Sequence, residues 1–462
     1  WSELRMTGLD PALWFALVGR DGAEAESGAE AEVVPPPADA KAAAGAAAPE
    51  VRIACIDIGG GTTDFMIARY TFTRGIPSSI QGEVLERDGV PVAGDQLVKR
   101  LLETVIVPAL AASAGLEPNL VKLLFGPQVP QNLQLRPERI RWMNRLLVPL
   151  ARRYLDCAVA DDPQAAISHT DPEVVAPEVL DELEATLERI SGRSGPAALR
   201  VPLGLAYRRA ELERVVAEVF RDLLFDFGRR IVARGCDVVL LAGQPTKLGA
   251  IQQLVHLFLP LAPARVIPMY KHYAGPWYPY QDPRGRDPGV IVDPKSAVVV
   301  GAAIHVLAQY GMLGSVKFEI RDPARRASYY WGAINDVTGR IIHAMFEPES
   351  PSPVFEFRTS QRQVLIGRRL SAAAAAHAAP VYLLRLDPGD RLGPIDVKVR
   401  LRRLPPDAHR AEEALELDSV TGTIAGEEAV QDHNATLRLR TLAEARHYLD
   451  TGGLDNIQLD VR

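Results

Sequence analysis

The sequence predicts an α/β domain followed by a smaller, β-rich one. Three observations carry this. From Val51 to about Gly314, apolar strand-like runs alternate with longer amphipathic stretches. Beyond Val316 the helical period gives way to short segments that mostly alternate apolar with polar residues. Between them in importance lies "IACIDIGGGTTDFMIARY", Ile53 to Tyr70, where three successive glycines separate two apolar runs. The chain of 462 residues is long enough for two or three domains, and its 47% hydrophobic and 24% charged content is ordinary for a soluble globular protein.

Taken in order, residues 1–50 open with one short helix after Asp10-Pro11, carrying Leu13, Trp14, Phe15, Leu17 and Val18. Residues 20–50, rich in Ala, Glu, Gly and Pro and without an aromatic, cannot bury enough surface to offset chain entropy. A disordered linker or long surface loop is expected there. The α/β domain is placed at 51–315. The β-rich domain, 316–462, contains "SVKFEI", "VFEFRT", "QVLIGRRL", "VYLLRL", "IDVKVRLRRL" and "ATLRLRTL" as strands, with "SAAAAAHAA" a short helix or a loop. The chain begins at Trp1 and reads as a piece of something longer.

Composition narrows the function. A net charge of -6 gives no support to non-specific binding of nucleic acid or anionic membrane, and "RDPARR" and "RLRRL" are short runs amid acids. Cys55, Cys157 and Cys236 are far apart, which argues against a disulfide framework and fits a reducing cytoplasm. No apolar run reaches ~18 residues, so no transmembrane helix is expected. The histidines show no metal-ligand spacing, and no G-x-S-x-G occurs.

A plain hairpin between the runs at 53–58 and 65–72 needs only a two-residue turn. Three glycines bare consecutive N–H groups and let a bulky anion approach the backbone. Thr62 and Thr63 add hydroxyl donors. Asp57 and Asp64 bracket the loop, and carboxylates beside a phosphate site commonly hold Mg²⁺, often through water. The stretch reads as a phosphate-gripping hairpin with metal-positioning acids.

This stretch resembles the second phosphate-binding hairpin of the actin and DnaK-type chaperone ATPase superfamily. Three later segments follow in the order of that superfamily. "VAGDQLVKRLLETVIVPAL", Val92 to Leu110, is similar to the Gly-acid step that opens a helix, with Asp95 a natural N-cap. "CDVVLLAGQPTKLGAIQQLV", Cys236 to Val255, resembles the adenosine motif, and "DPKSAVVVGAAIHVLAQY", Asp293 to Tyr310, the closing helix. More narrowly, the turn "GQPTKLGAIQ" and the aromatic "WYPY", Trp277 to Tyr280, resemble the bacterial SrfB-type virulence factors, over about Val51 to Gly314 with a thinner likeness beyond. "WYPY" is read equally as a ligand or partner surface and as the cover of a core edge.

The resemblance implies an actin-like ATPase lobe of ribonuclease-H-like fold that binds ATP and Mg²⁺. Gly59, Gly60, Gly61 and Thr62 would hold the β- and γ-phosphates, with Thr63 beside them. Asp57 and Asp64 would orient metal waters and the attacking water. Gly94 would line the ribose side, Gly243 and Gln244 would let adenosine lie against the backbone, and Lys247 stands where the chaperones place an adenine-stacking arginine. Gln244 replaces a glycine and Lys295 an acid of that motif. The basic stretch Arg136 to Asp156 reads as a solvated face, with Pro149 a point where its helix would break. The superfamily's other lobe, with a second phosphate hairpin, is expected upstream in the full-length protein.

Three functions fit: an ATP-driven conformational switch with slow hydrolysis, a non-catalytic scaffold keeping a degenerate version of the fold, and a small-molecule kinase, for which no acceptor-site motif is seen. Protein partners of unknown identity are expected, and no nucleic acid.

Overall fold

The structure, a computed structural model, describes residues 11–19, 49–75, 78–126, 136–191, 199, 202–279, 289–312, 316–321, 329–335, 340–348, 350, 352–369, 378–387, 393–405, 413–439 and 459. The linker expected over 20–50 lies almost wholly outside these residues, as do Tyr280 and most of "SAAAAAHAA". The architecture is mixed α/β, with several sheets.

The first sheet starts with three antiparallel strands, β1 (Glu50–Ile58), β2 (Thr63–Thr73) and β3 (Ser78–Val90). On its other side β1 runs parallel to β6 (Val238–Ala242), and β6 parallel to β7 (Val266–Pro268). The sheet order is β7-β6-β1-β2-β3-β8. Alternate residues of β1 and β2 (Ala54, Ile56, Ile58, Phe65, Ile67) enter one core with Leu97, Leu101, Trp142, Leu183, Phe220 and Phe227 from the helices. Helix α1 (Pro11–Val18), where a helix was expected, puts Phe15 against Val51, Phe72 and Ile80 at the opposite end of these strands.

Strand β8 (Val316–Arg321) corrects one expectation. It was read as the first strand of the β-rich part, but it pairs parallel with β3, extending the first sheet. Alternation of apolar and polar residues identifies a strand without saying which sheet edge accepts it.

Between β3 and β6 the chain is helical. Helix α2 (Gly94–Leu101) passes through a π turn, Leu102–Ile106, into α3 (Val107–Ala114), followed by α4 (Pro118–Phe125). Helix α5 (Arg136–Trp142) passes through a second π turn, Met143–Leu147, into α6 (Val148–Ala160). Pro149 therefore does not break the helix. It lies in the first turn of α6, where a missing N–H costs least, and the wider turn before it absorbs the mismatch. Helix α7 (Pro177–Ser191) precedes the 25-residue α8 (Arg209–Ala233). Two-residue strands β4 (Ala166–Ile167) and β5 (Leu205–Ala206) pair between them.

Helix α9 (Gly249–Phe258) joins β6 to β7, and α10 (Pro294–Gln309) follows the aromatic stretch. Tyr278 is buried against Val300, and its hydroxyl lies 2.6 Å from Ser296 Oγ. At Tyr278, then, the "WYPY" segment covers a helix. Elsewhere on α10, Val298, Val299, Val306 and Leu307 are exposed.

Beyond residue 329 two antiparallel sheets pack around Trp331, Ile366, Leu384, Val397, Val399 and Leu401. One contains β9 (Tyr330–Ile334), β10 (Ile341–Phe346), β12 (Gln363–Arg369), β13 (Ala379–Leu386) and β17 (Ala435–Leu439). The other contains β11 (Val354–Thr359), β14 (Ile395–Leu404), β15 (Ala414–Ile424) and β16 (Glu427–Val430). Strand β14 alternates strictly. Its inner residues are buried, while Lys398 and Arg400 face outward onto Glu356 at 2.9 Å and Asp418 at 3.2 Å. In "RLRRL", Arg400 and Arg402 share Asp418 across the strand pair, and Arg403 donates to the Glu347 and Ser350 carbonyls. Among the described residues, no helix is long and apolar enough to cross a membrane.

Candidate functional site

The antiparallel register of β1 and β2 puts Asp57 directly opposite Asp64 and Ile58 opposite Thr63, so the glycines form the hairpin tip. Not all three glycines present their amides outward. The Gly59 N–H donates to the Thr62 carbonyl at 2.9 Å and closes the turn. The N–H groups of Gly60, Gly61 and Thr62 have no backbone partner among the described residues, and these are the ones open to an anion.

Two other segments close on this tip. At the start of α2, the Gly94 N–H donates to the Gly59 carbonyl at 3.0 Å and the Asp95 N–H to the Gly60 carbonyl at 2.7 Å. A Cβ on Gly94 would lie 3.1 Å from the Gly59 oxygen and 3.2 Å from Pro245 Cγ. At the end of β6, Gly243 takes φ +88°, and a Cβ there would fall 1.9 Å from the Ile58 carbonyl oxygen and 2.7 Å from Asp57 Oδ1. Glycine is required at 243 for both reasons, conformation and close approach. The structure therefore brings the hairpin residues Asp57, Gly59, Gly60, Gly61, Thr62 and Asp64 together with Gly94 and Gly243, which are far from them in sequence.

Three expected roles need correction. Thr63 is fully buried, and its hydroxyl donates to the Val92 carbonyl, tying the hairpin to the segment before α2 rather than facing a ligand. Gln244 donates its amide to Asp293 Oδ1, so that side chain holds the turn to the start of α10. Asp95 is not the N-cap of α2. Ala93 occupies that position without a side-chain bond, and Asp95 sits within the first turn, with Oδ1 3.8 Å from where a Gly60 Cβ would stand. The Lys247 ammonium lies 5.1 Å from the centre of the Tyr270 ring, in a cavity of about 550 Å³ beyond β6.

Electrostatics mark the tip as a strained place. Like charges directly across a strand pair are unfavourable, and no hydrogen bond or ion pair to either Asp57 or Asp64 is found among the described residues. Burial pushes the Asp57 carboxyl above the usual range, with Lys295 opposing it. Burial and the Asp57 charge push Asp64 the same way, and its surface exposure lets water screen the effect. Both acids, with burial as the larger cause, raise the Cys55 thiol to about 12, which leaves it an inert thiol. Asp95 is pushed up to about 6 by burial, against the pull of Arg152 on α6. Sequence reasoning named Lys295 and Asp95 without placing them beside these acids, and read Arg152 as part of a solvated face.

The sign for Asp95 gives a test. A carboxyl raised in the folded state favours folding while protonated, and that contribution is lost as pH rises through about 6. Asp95→Asn is therefore expected to be more stable than wild type at pH 7, with the difference vanishing toward pH 4. Chemical denaturation at both pH values reads this. A variant less stable at pH 7 would mean that the carboxylate makes a favourable contact in the folded protein.

No group of three or more His, Cys, Asp or Glu side chains that could hold a metal converges among the described residues. Asp57 and Asp64 alone make an incomplete shell. A hard divalent cation there needs oxygens from water and from an anionic ligand, which is how Mg²⁺ is commonly bound.

A family model described as virulence factor SrfB matches residues 32–455. No curated protein matches the chain.

Proposed function

The chain belongs to the virulence factor SrfB family, and on that premise we propose that it forms one lobe of an actin-like nucleotide switch, binding ATP with Mg²⁺ at the hairpin tip and supporting slow hydrolysis when a second lobe closes over it. The observation that carries this reading is the pair of opposed carboxylates, Asp57 and Asp64, unpartnered beside a loop whose Gly60, Gly61 and Thr62 amides are free. Groups held at a cost to stability and left without structural partners are candidates for function. The order β3-β2-β1-β6-β7, antiparallel on one side of β1 and parallel on the other, supports a ribonuclease-H-like lobe. The tip also lies outside the carboxyl ends of β1 and β6, where open α/β sheets commonly bind ligands.

In this reading the free amides of the tip neutralise phosphate oxygens, and Asp57 and Asp64 orient water. The water oxygen bonds phosphorus as the bond to the leaving phosphate oxygen breaks, and a carboxylate takes up the water's proton. Mg²⁺, when bound with the nucleotide, supplies further charge neutralisation. The exposed apolar face of α10, whose N-terminal Lys295 acts on Asp57, is the surface on which the second lobe would rest. Lys295 also favours a second reading, a scaffold without turnover, because its ammonium can stand in for a cation beside Asp57.

Calorimetric titration of the full-length protein with Mg-ATP tests the binding claim. Gly60→Val is expected to weaken binding by about tenfold or more, since the side chain blocks phosphate approach. The turn itself should tolerate it, because a Cβ at Gly60 meets only Asp95 Oδ1 at 3.8 Å. Undiminished affinity in a folded Gly60→Val protein would remove the hairpin from the binding site.

A further inference from the structure

We propose that the cavity beside Lys247 receives an anionic group at the ribose end of the ligand, so that the nucleotide this chain prefers carries a phosphate there as well as at its 5′ end. The proposal rests on the reading of the hairpin as the 5′-phosphate site.

The cavity of about 550 Å³ draws its wall from the end of α6, the start of α8, the start of α9 and the segment after β7. The Tyr270 ring stands in it with two ammonium groups against it, Lys247 at 5.1 Å and Lys271 at 5.2 Å from the ring centre. Neither ammonium lies within ion-pair distance of a carboxylate among the described residues. Asp156 and Asp293 act on Lys247 only from farther away. Of the acids lining the cavity, Asp161 is held by Arg209 at 2.7 Å, which leaves Glu213 against two lysines. Two ammonium groups gathered over one aromatic ring, with no carboxylate at ion-pair distance, suit a phosphate group.

The wall is also held in a costly shape. Lys271 takes φ +63°, the left-handed region that a lysine seldom adopts. It is kept there by hydrogen bonds of 2.8 Å from its own N–H to the Ile291 carbonyl and from the Ile291 N–H to the His272 carbonyl. Such strain is found where ligands are clamped.

The distance fits one nucleotide. Asp57 is in register with Ala242, and Leu241 with Pro268, so the hairpin and the cavity wall lie at the same edge of the sheet, two strands apart. At roughly 4.8 Å per strand the gap is roughly 10 Å, about the reach from a β-phosphate held at the hairpin to a phosphate on the 3′ oxygen of the same nucleotide.

The test titrates the full-length protein with adenosine, 3′-AMP and ADP. The expected result is 3′-AMP binding at least about tenfold tighter than adenosine, with the preference lost in Lys271→Met and kept in Gly60→Val. Equal binding of adenosine and 3′-AMP overturns the proposal whatever ADP does. If ADP binds and 3′-AMP does not, the proposal falls and the hairpin reading stands. If 3′-AMP is preferred as expected and ADP is no better than adenosine, the cavity stands as an anion site and the hairpin reading falls.

Discussion

Asp57→Ala and Asp64→Ala are each expected to lower ATP turnover by the full-length protein by about 10²- to 10³-fold, while the fold is kept or slightly stabilised. The loss follows from charge positioning in the transition state, where one directed contact is typically worth about 3–4 kcal/mol. The absence of a stability cost follows from the register. The two carboxylates face each other across β1 and β2, each pushed toward its neutral form by burial, so removing one relieves repulsion. Phosphate release and chemical denaturation, run on the same preparations, separate the two effects. A scaffold would show no wild-type turnover to lose. Wild-type turnover that both variants retain would make the carboxylates structural and move the site elsewhere.

Arg230→Ala is expected to destabilise the protein by about 3–5 kcal/mol, the cost of leaving buried charges without their partner. The Arg230 guanidinium on α8 is nearly buried, 4.5 Å from the centre of the Phe65 ring and 5.5 Å from that of Phe227. It meets Glu86 at 2.5 Å, Asp88 at 2.9 Å and Asp226 at 3.5 Å. Burial raises the Asp88 carboxyl, and Arg230 is the chief group opposing that. Without the guanidinium, burial acts on the Asp88 carboxylate with its chief opposing group gone, so the deficit should be largest at neutral pH and shrink in acid. Arg230→Lys should recover only part of the loss, because a point charge cannot fork to several carboxylates. Denaturant midpoints at pH 7 and pH 5 measure this. A loss under about 1 kcal/mol at pH 7 would show that water screens these acids as well as the arginine does.

Much of the fold is local and was legible. The runs at 53–58 and 65–72 are strands because β-branched and aromatic residues alternate there, and the glycines between them allow only a turn. The helix beginning at Gly94 shows as apolar Leu97, Val98 and Leu101 on one face. The strand "VVLLA" running into Gly243, and the helix after Asp293-Pro294, are read from the same periodicities and from turn chemistry. The change to alternating strands beyond residue 329 is visible in the same way.

What was misread turned on partners. Thr63 and Thr62 are neighbours of the same chemistry, and only the approach of Val92 turns one hydroxyl into a structural tie. Gln244 reads as a departure from a glycine-rich motif until Asp293, 49 residues away, supplies its acceptor. Asp95 fits an N-cap pattern in one dimension, yet the Gly60 carbonyl draws its amide, and with it the side chain, toward the hairpin.

By itself the sequence determined which segments are strands and helices, where the chain must turn, and that a three-glycine loop is flanked by two acids. These depend on residues within a few positions of one another, whose sterics and periodicity act whatever surrounds them. Tertiary structure alone decided that β8 joins the first sheet, that Thr63 is tied to Val92, that Lys295 and Arg152 are the cations near the hairpin acids, and that Lys247 faces Tyr270. Each of those is a contact between groups many residues apart. Its energy depends on burial and distance in space, and neither is written in the order of residues along the chain.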